Sequence, residues 1–570
     1  MLPMGAGGWL YVWGLTRCLT AWGLLAVASL FLVLPAMGML AGMVVAPVVP
    51  DLGQTVQQDG DRLVVGESYL ERIGEVQHLH LAGDEIAIGY AHGALLGDQI
   101  ASMEGDLLLT FQDLVPSFWI RHLVLGLVAF NNRSLMASYR PQELRELASM
   151  GHAHGRFSDV YRGMSPGFTR AVQYHALHDA SQYMIDNPLI NAPQVGCTAI
   201  AVRGGRSANG RPLVGRLFDF EGGDQFDVGK VVITCDPDQG QAFCSVVWPG
   251  MVGAVTGLNQ AGLWISINAG VSDGRRFSGR PIVLVVREIL QYATTLDEAV
   301  DILGRAELFV SAAVVLVSGD EERMAVVEVG PNGLAVREDD ADLLVATNHF
   351  LHPIWEADAA NQRRLAEGTS PTRFSRATAL LEATRRHDPE SLLAILRDRR
   401  GPGDADVGFG NRSTINAWIG AHLVVADPAA RLVYVCEPHH GLGRAMVIGI
   451  DGPVDLAPLP AAEDDLALHA QAAAPFDAGL KRMRDLIEQG DLATARQEFT
   501  ALQALNPNHF SVYEIAAHLA SDPKTRREHL QRALDLAPAY PADEARIRAA
   551  LAEVEEGAGD QTAVGADNNK

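Results

Sequence analysis

From Cys197 onward the chain breaks into short β-rich runs: CTAIAVR, PLVGRLFDF, KVVITC, AFCSVVW, GLWISIN, AAVVLVSG, MAVVEVG, HLVVADP and RLVYVCEP. Gly, Pro and Asp separate them, with tight turns such as Asn209-Gly210, and β-branched runs of this length between such breakers read as strands. Helical stretches interrupt the series, as in RPIVLVVREILQYATTLDEAVDILGRA and SPTRFSRATALLEATRR. Two antiparallel sheets covered by helices are the simplest way to bury so many apolar strand faces, which makes the expected class α+β.

The flanks read differently. After Arg17 no charge appears until Asp51, and such a stretch exceeds the about 20 apolar residues that cross a bilayer. Residues 1–50 are therefore expected to be a signal anchor or transmembrane segment, with the rest of the chain on the extracytoplasmic (periplasmic or extracellular) side. Residues 51–196 read as a helical amino-terminal region. Within it PSFWIRHLVLGLVAFNN is too short and too charged to span a bilayer, and is expected to be a core helix or a greasy lid. The main β-rich unit covers 197–460, and PLPAAEDDLALHAQAAAP reads as a linker. A helical tail over 476–556 carries two degenerate tetratricopeptide-like (TPR-like) units, with Gly490, Ala495, Phe499 and Pro507 at matching places in the first. A plain helical hairpin packed on the main unit would read the same way. Residues 557–570 are expected to be disordered.

The formal net charge of −24 opposes nucleic acid as a partner. Five scattered cysteines without a CxxC pair argue against structural zinc. Cys235 and Cys244 flank a turn centred between Gln239 and Gly240, so a hairpin would set them opposite one another. Two reduced core thiols are favoured there over a disulfide. No metal or cofactor is expected.

The chemistry concentrates around Cys197, which follows Gly196 and begins a strand. If the chain turns at Ala208, Cys197 lies opposite Asp219, and Arg216 sits three residues before that acid. Residues three apart on a regular strand point to opposite faces, so both reach the thiol only if the strand bulges or ends.

Gly196-Cys197-Thr198 and GRLFDFE, with Arg216 and Asp219, together resemble the autoproteolytic cysteine hydrolases of the Ntn (amino-terminal nucleophile) superfamily. The nearest branch is the acyl-coenzyme A:6-aminopenicillanic acid acyltransferase-like family, kin to penicillin V acylases, bile salt hydrolases and acid ceramidase. LNQAGLWISIN, with Asn268, TNHF, with Asn348, SPTRF, with Arg373, and the upstream IAIGYAHGALLGDQI are similar to further family segments, in order. The resemblance implies an αββα sandwich and a thiol nucleophile that becomes residue one of its own chain by self-cleavage at Gly196-Cys197. Its own α-amine, titrating near about 8, would then take the thiol proton. Asp219 would orient that amine and Arg216 would favour thiolate. Asn348, and less directly Asn268, would supply oxyanion donors, and Arg373 would close an ion-pair network below the site. The implied substrate is a small-molecule linear acyl-amide, with the amino-terminal fragment as retained partner. A Cys197–His349 pair is the rival nucleophile scheme. The rival function is an inactive, membrane-anchored scaffold presenting the tail to a protein partner.

Overall fold

The computed structural model describes residue 33, residues 45–154, 167–177, 179 and 196–567, apart from 275, 277, 278, 339 and 340. The expected anchor over 1–50 falls almost wholly outside them. Among the described residues no helix is long and apolar enough to cross a membrane.

In chain order the elements are β1 (Gln57–Asp59), β2 (Arg62–Val65), β3 (Ser68–Ile73), β4 (Val76–Gly83), α1 (Glu85–Leu114), α2 (Phe118–Asn131), α3 (Pro141–Ala153) and α4 (Gly167–His175). The β-rich unit follows with β5 (Thr198–Val202), β6 (Leu213–Asp219), β7 (Val231–Pro237), β8 (Phe243–Val247), β9 (Thr256–Asn259) and β10 (Leu263–Ala269). After α5 (Ile282–Tyr292) and α6 (Leu296–Arg305) come β11 (Ala312–Ser318), β12 (Arg323–Gly330), β13 (Gly333–Arg337) and β14 (Leu343–Ala346). Then come α7 (Ala359–Glu367), α8 (Ser370–Ala383), α9 (Pro389–Leu396), β15 (Gly420–Asp427), β16 (Leu432–Cys436), β17 (Ala445–Gly449) and β18 (Gly452–Pro453). The tail holds α10 (Glu463–Gln489), α11 (Leu492–Leu505), α12 (Phe510–Ala516), α13 (Pro523–Asp535) and α14 (Pro541–Asp567).

Two sheets form. One runs β1-β2-β3-β4-β7-β8-β9-β10-β11-β12-β13 and the other β14-β5-β6-β15-β16-β17-β18. Their facing sides share one apolar core: Val232, Cys244, Val246, Trp264 and Val315 from the first meet Ala199, Ala201, Val214, Val424 and Val435 from the second. The first sheet's other face packs on α1, α3 and α5 through Leu79, Ile233, Leu316, Leu96, Leu147 and Ile289. The second sheet's outer face takes Leu381 of α8 and Leu392 and Leu396 of α9. Alternate residues of each strand thus go to different cores, as a pleat buried on both sides requires.

The region before Cys197 is not simply helical. It supplies four strands, and β4 joins β7 in parallel from Gln77↔Val231 to Gly83↔Pro237. α1 lies so close to α3 that a Cβ on Gly89 or Gly93 would come within 2.1 or 2.2 Å of a carbonyl oxygen of α3. Glycine every fourth residue, in GYAHGALLG, leaves room for that contact. α2 is not a core helix at its start, because Phe118, Trp119 and Ile120 are each about half exposed.

The Cys235–Cys244 expectation is off by one residue. Cys235 pairs with Phe243 and Cys244 with Thr234, so the thiols point into different cores and both are free. A one-residue slip sends side chains to opposite faces. Burial pushes both thiols up to about 12.

The expected linker is helix instead, since α10 begins at Glu463. Three acids in its first turn complement the helix dipole, and alanines favour helix throughout. α14 continues past 557 to Asp567, beyond where order was expected to end.

Candidate active site

Four strands and one helix bring the implied residues together. Cys197 immediately precedes β5, Arg216 and Asp219 lie on β6, Asn268 on β10, Asn348 just after β14, and Arg373 in the first turn of α8. All six are buried.

The β5–β6 register decides the faces. Thr198 pairs with Leu217 and Ala199 with Arg216, which sets Phe218 opposite Cys197 and Asp219 opposite Gly196. Arg216 shares the thiol's face, and its Nη2 lies 3.7 Å from Cys197 Sγ. Asp219 does not reach the thiol. Its main-chain oxygen accepts from Gly196 N at 3.4 Å, and a Cβ on Gly196 would sit 3.2 Å from Asp219 Oδ2. The expected Cys197–Asp219 pairing is therefore corrected by one residue, and the carboxylate packs closely against Gly196.

Arg216 is fully buried. Its guanidinium donates to the carbonyls of Val255 and Ile267 and to Thr256 Oγ1, and stacks 4.4 Å over Phe218. Among the described residues no carboxylate lies within ion-pair distance of it. Burial lowers its pKa, and the strongest opposing influence is Cys197. A buried cation without a carboxylate is costly, and the Cys197 sulfur is among the few side-chain partners within its reach.

Arg373 lies on the other side of the peptide. Its Nη1 donates to Gly196 O at 2.9 Å, Cys197 O at 2.7 Å and Thr198 Oγ1 at 3.0 Å, while Nη2 donates to Asn348 Oδ1 at 2.8 Å. This is an ordering of the backbone around the thiol, closer to it than the expected network below the site. Asp219 is pushed up to about 7, chiefly by burial, against the pull of Arg373, Arg412 and His440. Its Oδ1 has no hydrogen-bond partner.

The two asparagines are less free than expected. Asn348 Nδ2 donates to Ala269 O at 3.0 Å, and Asn268 Nδ2 donates to Ala346 O and Thr347 O. Asn268 thus braces the strand end that carries Asn348, and neither amide is aimed at the thiol. His349 bonds Ser370 Oγ at 2.7 Å and Thr347 Oγ1 at 3.1 Å through Nδ1. Burial drops it to about 4.

Several supporting residues, His92 of the IAIGYAHGALLGDQI segment excepted, gave no signal in the sequence. Thr256 Oγ1 joins Arg216 to His422 Nε2 at 3.0 Å, and His422 stacks on Phe218. His92 Nε2 accepts from Gly250 N and His175 Nε2 from Val252 N, which fixes the β8–β9 loop that presents Val255 O to Arg216. Burial holds these two rings neutral, at about 3 and about 4. Single histidines in helical or strand runs look like ordinary core residues until the loop they hold is known. Among the described residues no cluster of His, Cys, Asp or Glu is arranged to hold a metal.

Residues 208–439 match the family model of acyl-coenzyme A:6-aminopenicillanic acid acyl-transferase. The family resemblance holds over this segment. It takes in Arg216, Asp219, Asn268, Asn348 and Arg373, and Cys197 lies before it. Among curated proteins, an uncharacterized protein of Archaeoglobus fulgidus is 28% identical over 323 residues, covering 50% of this chain and 52% of that one. Protein dcd1B of Dictyostelium discoideum is 22% identical over 275 residues, covering 47% and 53%. The chain spans about half the length of these relatives. Solved structures similar to it include a Caenorhabditis elegans N-acylethanolamine-hydrolyzing acid amidase ortholog, 19% identical with a TM-score of 0.31, covering 41% of this chain and 93% of that one. Penicillin V acylase from Agrobacterium tumefaciens is 16% identical with a TM-score of 0.31, covering 46% and 89%.

Proposed function

We propose that the protein is an autoprocessing amino-terminal-cysteine amidohydrolase or acyltransferase of the Ntn type, acting on a linear acyl-amide. The observation that carries this reading is the cation of Arg373 on the carbonyl oxygen of Gly196, with the Cys197 thiol on the following residue and Arg216 beside that sulfur. Negative charge develops on that oxygen when the thiolate attacks, and a preorganised donor there lowers the barrier.

Two steps follow. Cys197 Sγ bonds to the Gly196 carbonyl carbon as the carbon–nitrogen bond breaks, and the departing nitrogen takes the thiol proton to become an α-amine. Water then cleaves the thioester, leaving a carboxylate on Gly196 and a free thiol on Cys197. Asp219, across from Gly196, is then beside the new α-amine, which it can orient as an ionised acceptor. In turnover that amine takes the thiol proton, the thiolate attacks the substrate carbonyl, and the amine product leaves with the proton. Water or a second amine releases the acyl group. The two-sheet layering with helices outside fits the Ntn sandwich, and an amino-terminal anchor would set this domain on the extracytoplasmic side.

Purified chain is expected to separate on a denaturing gel into two fragments, the larger beginning at Cys197 by mass spectrometry. Cys197→Ala is expected to stay whole. A wild-type chain that remains intact would overturn the reading.

A further inference from the structure

The carboxy-terminal tail does not stand apart as a docking module. Its core is shared with the main unit: Phe409, Trp418 and Leu442 pack with Phe476, Leu480, Leu502 and Phe510 of the tail. Phe409 stacks on Trp418 at 4.8 Å and meets Phe476 edge-on at 5.1 Å. The seam is also hydrogen-bonded. Asn506 Oδ1 accepts from Phe409 N at 3.3 Å and Asn506 Nδ2 donates to Phe409 O at 2.9 Å, pairing with that residue as a strand neighbour would. Gly408 makes this possible, since a Cβ there would lie 2.3 Å from Asn506 Oδ1 and its φ is +74°. Further along, Asn411 Nδ2 donates to Ala537 O at 3.2 Å.

The segment so gripped, residues 408–419, is a strap that ends at the site. Arg412 pairs with Glu221, two residues after Asp219. Ile419 O accepts from Phe220 N, and Gly420 pairs with Asp219 across a register shift in β15. Tyr540, at the start of α14, feels the charges of Arg412, Glu221 and Arg373. One continuous path therefore leads from Asn506 and Ala537 to the carboxylate facing the scissile glycine.

We propose that the tail is a positioning element for Asp219: Asn506 and Ala537 hold the strap, and the strap holds Arg412 against Glu221 beside that carboxylate. The groups that face Asp219 are Arg373 from α8, Arg412 from the strap, His440 from the β16–β17 connection and Glu221 from the turn after its own strand, with Arg216 on the opposite face of β6. Of these, Arg412 is the cation whose place the tail sets. Loosening the strap withdraws a positive neighbour, so Asp219 holds its proton to higher pH. The argument rests on the proposed self-cleavage only for its kinetic readout.

Two measurements on the full-length chain test it. In the uncleavable Cys197→Ala background, the Asp219 carboxylate is followed by infrared difference spectroscopy against Asp219→Asn. Asn506→Ala and Arg412→Gln are each expected to raise its midpoint by about one pH unit, the size of effect a nearby opposite charge exerts. Arg412→Lys is expected to restore most of the shift. In the Cys197 background, the pH at half-maximal cleavage rate should move the same way. An unchanged infrared midpoint in Asn506→Ala overturns the proposal, whatever Arg412→Gln does. If Asn506→Ala does not fold, Asn411→Ala, which removes the strap's bond to Ala537 O, decides in its place. An infrared shift in a chain that never cleaves leaves the tail's role standing and removes the proposed function.

Discussion

At the scale of single residues, the site depends on which side of one peptide each cation occupies. Arg216 faces the sulfur and Arg373 faces the carbonyl oxygen of Gly196, so in the proposed reaction one cation is placed for the nucleophile and the other for the developing oxyanion. Arg373 does this with a planar fork, one nitrogen on the backbone and the other on Asn348. A lysine keeps the charge and loses the second arm, because an ammonium is a point donor. Arg373→Lys is therefore expected to slow self-cleavage by about 10²- to 10³-fold, the usual loss for one oxyanion donor, with thermal stability changed far less. Quantifying intact chain against time on a denaturing gel checks this; a rate within threefold of wild type would show that the Gly196 contact is structural. Position 373 was legible in the sequence as a member of a pattern, but its work was not, since SPTRF says nothing of a carbonyl nearly two hundred residues earlier. Asp219 was misplaced for a specific reason. The β5–β6 connection holds a tight helical turn at Gly204–Arg206, so the hairpin is not symmetric about Ala208 and the register falls one residue short.

Elements explain how a pocket of backbone carbonyls can hold a buried guanidinium. The β8–β9 loop has no regular structure of its own, and α1 and α4 grip it through His92 and His175. His175 donates through Nδ1 to Ala171 O and accepts at Nε2 from Val252 N, a tautomer that only the neutral ring supplies. Its folded pKa of about 4 lies below the ordinary value of 6.5. The unfolded chain therefore binds the extra proton first as pH falls, and the stability His175 supplies is full above about 6.5 and lost toward 4. At about 1.4 kcal/mol per pH unit this is worth roughly 3 kcal/mol. His175→Gln offers an acceptor that does not titrate there. Wild type is expected to lose more stability than His175→Gln between pH 6.5 and 4 in urea denaturation, and equal losses would mean that Val252 N finds another acceptor. Nothing in GFTRAVQYH announces this; an isolated histidine on a helix has no periodicity to read.

For the molecule as a whole, the strong β-branched runs after Cys197 were legible because each is buried on both faces and so reads as continuous apolar sequence. β1 and β2 were not, since QQD and RLVV are short and largely or partly exposed, and strands of that kind lack the apolar signal. Yet those first strands govern what happens after the proposed cut. The fragment ending at Gly196 contributes β1–β4 to the same sheet as β7–β13, and β4 and β7 run side by side over seven register positions, Gln77↔Val231 through Gly83↔Pro237. Leu79, Leu81, Leu96, Leu147 and Met150 of that fragment are buried in one core with Ile233, Ile265 and Ile289 of the other. At about 1.5–3 kcal/mol for each large apolar side chain fully buried, exposing these five of the amino-terminal fragment alone would cost on the order of the whole net stability of a domain. The two pieces are therefore expected to elute as one species in native gel filtration and to separate only in denaturant. The ladder also gives the association a point of attack. Leu79→Asp buries an unpaired charge against Ile233 on β7 and should release the amino-terminal piece or prevent the precursor from folding, either of which abolishes the co-eluting pair. A native column that resolves two wild-type fragments would mean that this sheet does not survive the cut.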